Sequence, residues 1–119
     1  MRSELVPRDW AKLWPRVVAA KFNVPEERDA VLAMFKEYSG PEPDRIKLGV
    51  LKASDCNIER MRSLLKLAGD DWRELLCEAE YPLSSRRWGL KDKAPEKYER
   101  LLAKEQAEYE NWLQRVLAT

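Results

Sequence analysis

An all-α, single-domain bundle of about five helices is the architecture this sequence predicts, and three observations carry it. Across residues 57–80, Ile58, Met61, Leu64, Leu65, Ala68, Trp72, Leu75, Leu76 and Ala79 fall within an arc of roughly 120° at helical periodicity, while Glu59, Arg60, Arg62, Lys66, Arg73 and Glu74 lie outside it. No stretch shows the sustained two-residue alternation, rich in Val, Ile and Thr, that a strand requires. The 119 residues, 45% hydrophobic and 36% charged, suit one domain, 1–119, with a modest core. Five Trp and four Tyr supply the large apolar areas that such a small core needs.

The first helix is expected at about 8–21, with Trp10, Leu13, Trp14 and Val17 on one face. Pro15 removes a backbone donor and disfavours helical geometry at Trp14, which predicts a kink or split there. A second helix, about 24–38, has Asn23 as its cap, Pro25 in its first turn and Glu26 and Glu27 near the positive end of its dipole. Val24, Val31, Met34, Phe35 and Tyr38 form its buried side, and Gly40, Pro41 and Pro43 end it in a short, stiff connector.

Asp44 is expected to cap a third helix, about 45–53, in which Ile46, Val50 and Ala53 face one way and Leu48 and Leu51 nearly the opposite way. A helix apolar on two sides belongs at the centre. Ser54, Asp55 and Asn57 punctuate the chain, and 57–80 reads as a single fourth helix because its apolar phase continues across Gly69, at a cost of about 1 kcal/mol. The alternative is two helices, with Asp71 and Glu74 at capping-box spacing at the start of the second. Tyr81-Pro82 stops this element, residues 83–94 form the longest expected loop, and Pro95 opens a fifth helix at about 95–118. Tyr98, Leu101, Leu102, Tyr109, Trp112, Leu113 and Val116 make its apolar arc. Glu105 falls near the middle of that arc, where a carboxylate must be paired, hydrogen-bonded or left at a wet edge.

Charge narrows the partners. Lys and Arg (22) nearly balance Asp and Glu (21), so no global field draws the chain to nucleic acid or an anionic membrane. Only residues 83–97, with 5 basic and 2 acidic side chains, are distinctly positive. No apolar run approaches the ~20 residues of a membrane span, and MRSELVPRDW lacks the apolar core of a secretory signal, so a cytoplasmic location is expected. Cys56 and Cys77 are too few for a disulfide scaffold and have no histidine to share a zinc site, which makes reduced thiols the expectation.

The order Asp44-Arg45, Leu48, Val50-Leu51-Lys52-Ala53, Leu64-Leu65, Asp71-Trp72-Arg73 and Ala79-Glu80-Tyr81-Pro82 resembles a recurring segment in small bacterial proteins to which no activity is attached. That resemblance covers about a third of the chain. It implies a bacterial, cytoplasmic, helical protein and assigns no site residue.

Catalysis would have to work without histidine, which removes the commonest general base and most nucleophile triads. Cys56, beside the start of the fourth helix, is the best remaining nucleophile, but Asp55 and Glu59 oppose a thiolate and an ordinary structural thiol is expected. Asp71, Glu74 and Glu78 recur at intervals of three and four, as helix-borne metal ligands do, yet their phase places them by the charged face. No cofactor and no catalytic residue is assigned. Arg86, Arg87, Lys91 and Lys93 around Trp88 form a candidate anion-binding loop, although nucleic acid is disfavoured by the neutral charge elsewhere. Arg60, Arg62 and Lys66 would stand on the second helix of a helix-turn-helix, with Asp55 and Glu59 against phosphate at its leading end. The reading preferred from the sequence is a non-catalytic protein-interaction module. Its candidate surface is Tyr109, Trp112, Leu113 and Val116 on the fifth helix, where any part of the apolar face that the bundle leaves uncovered would meet a protein partner or a second copy; the favoured reading of that face itself is that the fifth helix closes the same core.

Overall fold

The computed structural model describes residues 8–118, apart from the side chain of Trp88, as one compact all-helical body. Its helices are α1 (Trp10–Lys21), α2 (Pro25–Lys36), α3 (Pro43–Ser54), α4 (Ile58–Asp70), α5 (Trp72–Glu80), α6 (Pro82–Ser85), α7 (Trp88–Lys93) and α8 (Pro95–Leu117). Among the described residues no helix is long and apolar enough to cross a membrane.

The two-sided apolar pattern of α3 puts it at the centre, as expected. Ile46, Leu48, Val50 and Leu51 are all fully buried, and α3 packs against α1 on one side and α4 and α5 on the other. Gly49 permits a close approach of α3 to α5: a Cβ there would lie 3.1 Å from the Ala79 Cβ and 3.3 Å from Leu75 Cδ1. One turn earlier on α3, Arg45 donates from Nε and Nη2 to the two carboxylate oxygens of Glu80, at 2.7 and 2.6 Å. The Glu80 side chain is 0% exposed, and among the described residues this bidentate bond is what compensates it for leaving water. Trp10 of α1 lies under the same guanidinium, 5.2 Å from ring centroid to Cζ.

Residues 57–80 are not one helix. Asp71 leaves helical geometry (φ −154°, ψ 89°), ends α4 and caps α5, its Oδ1 accepting from the Glu74 N–H at 3.2 Å. The aspartate cap therefore prevails over the continuous apolar phase. That phase persists because α4 and α5 rest on the same neighbour, α3, and both must turn an apolar side to it. Gly69 itself remains helical inside α4.

The expected loop 83–94 instead contains α6 and α7, which raises the helix count above five. Pro82 starts α6 with a ring that lacks the N–H a first turn leaves unpaired. Two other expected caps are replaced. The cap of α3 is Glu42, in left-handed backbone (φ 52°) between two prolines, while Asp44 accepts from the Trp14 indole at 2.8 Å. Asn23 gives way to Val24 at the start of α2, where Pro25 again opens the helix. Pro15 sits inside α1 without splitting it. The carbonyl it leaves unpaired belongs to Ala11, which is exposed and open to water.

Two alanine substitutions separate helix propensity from packing. Gly69 is exposed, and a Cβ there meets nothing within 4 Å, so Gly69→Ala is expected to stabilise by about 0.5–1 kcal/mol. Gly49→Ala gains the same propensity but presses on Ala79, whose neighbour Glu80 is held by Arg45, and should destabilise by about 1–2 kcal/mol net. Urea midpoints of the two variants against the parent check both signs.

Candidate functional site: an apolar groove with a basic rim

The residues singled out by charge or reactivity in the sequence are mostly used to hold the fold. Cys56 and Cys77 are both free and half-buried. Burial pushes the Cys56 thiol up to about 11, with Asp55 adding to the shift and Lys21 only partly offsetting it. Cys77 is also raised, first by burial and then by Glu74. Neither thiol is poised as a thiolate near neutral pH. Asp71 caps α5 and Glu78 pairs with Arg86 at 2.8 Å. Among the described residues no group of three or more His, Cys, Asp or Glu is placed to hold a metal ion.

Glu105 is buried and bonded, as its place in the apolar arc requires. Its Oε2 accepts from Leu83 N at 2.8 Å, and its Oε1 from Ser84 N at 2.9 Å and from the Ser84 hydroxyl at 2.5 Å. It thus supplies the acceptors that the first turn of α6 lacks, and it fastens α6 to α8.

Tyr109, Trp112, Leu113 and Val116, the candidate partner surface, are buried at 0, 6, 3 and 6% exposure, so the fifth helix closes the core and this face is not a surface. They are core, because α1 and α5 close over the face of α8 that carries them. The Trp112 indole donates to Asp55 Oδ1 at 3.3 Å, and Tyr109 meets Trp112 edge to face. Burial, then the nearby Glu80 charge, raises the Tyr109 hydroxyl, which finds no hydrogen-bond partner among the described residues.

The candidate anion-binding residues do not converge as a loop. Arg86 is bonded to Glu78, Arg87 is exposed at the position just before α7, and Lys91 and Lys93 are exposed on α7. The side chain of Trp88 lies outside the described residues. The connection 55–57 does join α3 to α4 in the order of a helix-turn-helix, with Arg60 and Arg62 exposed on α4. Glu59 stands exposed in the first turn of α4, where it opposes phosphate.

Among several concavities of the described residues, a groove of about 570 Å³ lies between the C-terminal end of α2, the connector 37–41 and the outer side of α4 and α5. Half-buried Met34, Leu65 and Trp72 form an apolar floor. Tyr38 makes a rigid wall: its hydroxyl donates to Pro41 O at 2.7 Å, and its ring packs so closely on Gly40 that a Cβ there would sit 2.6 Å from the hydroxyl oxygen. The stiff connector expected from Gly40, Pro41 and Pro43 is thus a built part of the groove. Arg62 and Lys66 line the α4 rim and Glu37 the α2 rim, all three exposed. The Arg73 guanidinium lies over the Trp72 ring at 5.1 Å. Sequence reasoning placed Trp72, Leu65 and Met34 in the core and missed the groove, because α2 and α4 meet only over part of their length.

Compared with protein-family models, with curated proteins and with solved structures, the chain matches none.

Replacing Glu105 by Gln removes the charge from three hydrogen bonds at the start of α6 and should lower stability by about 1–3 kcal/mol. An unchanged denaturant midpoint would mean that the α6–α8 fastening contributes nothing.

Proposed function

We propose that this chain is a non-catalytic module that acts by binding a protein partner in the groove between α2 and α4–α5. The observation that carries the reading is the groove's composition: an aromatic and aliphatic floor, a wall fixed by the Tyr38–Pro41 bond, and charged rims that make no ion pair among the described residues. Partly exposed Trp, Tyr and Met in a concave site are the residues that anchor protein contacts. Catalysis lacks comparable support. The buried carboxylates Glu80 and Glu105 are fully engaged with Arg45 and with α6, and both thiols are raised. The interaction surface moves from the last helix to the groove, since Tyr109, Trp112, Leu113 and Val116 are packed inside. Self-association through residues 95–118 would have to use the exposed side of α8. The resemblance over residues 44–82 adds a bacterial cytoplasm as the setting.

A photoreactive benzophenone amino acid at Glu37 tests this in the native cell. Irradiation should yield a discrete protein adduct that disappears in Gly69→Arg, which fills the groove at an exposed site with open space around it. The same probe at exposed Lys104 on α8 should yield no such adduct. An adduct indifferent to Gly69→Arg, or one made to nucleic acid instead of protein, would contradict the reading.

A further inference from the structure

Resting on the groove assigned above, we infer that its occupant is a peptide segment bearing an apolar anchor flanked by two carboxylates about 6 Å apart. Arg62 and Lys66 are four residues apart on α4, so they are neighbours on one helix face, a like-charge arrangement that disfavours an isolated helix. No ion pair within the described residues holds either cation in place. Neither side chain has an acidic partner among the described residues, although Glu59 and Asp70 lie on the same helix. Both cations border the apolar floor, and Gly69, one turn beyond Arg62's neighbour Lys66, leaves the helix surface bare so that a partner backbone can approach. Carboxylates on the incoming segment would meet Arg62 and Lys66 while an aliphatic or aromatic side chain entered between Leu65, Met34 and Trp72. Glu37, on the opposite rim, sets the orientation by repelling the acids from the α2 side.

Nucleic acid fits this site less well than a peptide. Arg73 lies over one face of Trp72 at 5.1 Å, and the Tyr38 ring is packed on Gly40 with its hydroxyl tied to Pro41, which reduces the ring area left for bases to stack on. Two rim cations with an acid opposite them also give too short a track for successive phosphates.

The probe is a phage-displayed random peptide library, selected on the folded full chain and counter-selected on Gly69→Arg. Synthetic versions of the enriched peptides are then measured by fluorescence anisotropy at low salt and at high salt. Expected are sequences with one large apolar residue and at least two Asp or Glu, whose affinity falls at least tenfold in the Arg62→Glu, Lys66→Glu double variant and weakens as salt rises. Circular dichroism melting of the variants confirms that they remain folded, as substitutions of exposed residues should. Peptides that distinguish the parent from Gly69→Arg but carry no acids, and ignore the charge reversal, would overturn the acidic chemistry and leave the groove standing. Failure to enrich any peptide sensitive to Gly69→Arg would overturn both. Displacement of the bound peptide by single-stranded DNA, lost on the same charge reversal, would replace the peptide with a polyanion.

Discussion

The bidentate bond between Arg45 and Glu80 is the constraint on which the arrangement of this bundle rests. A carboxylate taken fully out of water costs several kcal/mol, and only a partner with matching geometry offsets it. Arg45 supplies that geometry from the first turn of the central helix, and Glu80 is the last residue of α5, so α3 and α5 are fixed in register along their contact. The fixed register is what lets Gly49 meet Ala79. It also brings Trp10 beneath the guanidinium and thereby orients α1. A second buried carboxylate acts immediately downstream: Glu105 holds the amides of Leu83 and Ser84, so the chain on both sides of Tyr81 is anchored by a charge that must be satisfied.

These anchors explain how the groove arises. With α5 locked to α3, the cap at Asp71 redirects the chain after α4, and Trp72 comes to lie half-buried at the outer side instead of continuing a straight helix. Helix α2 touches only α1 and α4 to any extent, and Val31 and Phe35 are its buried residues. Met34, one position before Phe35, therefore stays at the rim of the core, opposite Leu65 and Trp72. The open space is a consequence of an eccentric second helix held by a rigid connector, and it needs no strain at its floor.

How much of this was legible in the sequence depended on the physics behind each signal. The all-helical class, the central α3 and the paired state of Glu105 followed from periodicity and from the cost of burying charge, which act through single residues and their near neighbours. The break at Asp71 was visible as a capping pattern, but the apolar phase pointed the other way, because two helices that share a neighbour keep one phase across a break. Helices α6 and α7 were hidden because four-residue and six-residue helices carry no periodic stripe, and because what stabilises α6 is a carboxylate 21 and 22 residues downstream. The aromatic face of α8 reads as core or as partly surplus, and periodicity alone does not decide between them, because the cover comes from α1, far away in the chain. The groove depends on where α2 sits against α4, which no local pattern encodes. Even the Arg45–Glu80 pair, 35 residues apart, gave no sign of itself in spacing.

A double-mutant cycle on Arg45 and Glu80 tests the central claim most directly, with Arg45→Met, Glu80→Leu and the double variant measured by urea denaturation. Arg45→Met leaves the buried carboxylate alone and should cost about 3–5 kcal/mol, whereas the double variant, with no buried charge, should be less destabilised than the sum of the two single changes by about 2 kcal/mol or more. Additive effects, or a cost below about 1 kcal/mol for Arg45→Met, would show that this ion pair does not set the register of α3 and α5.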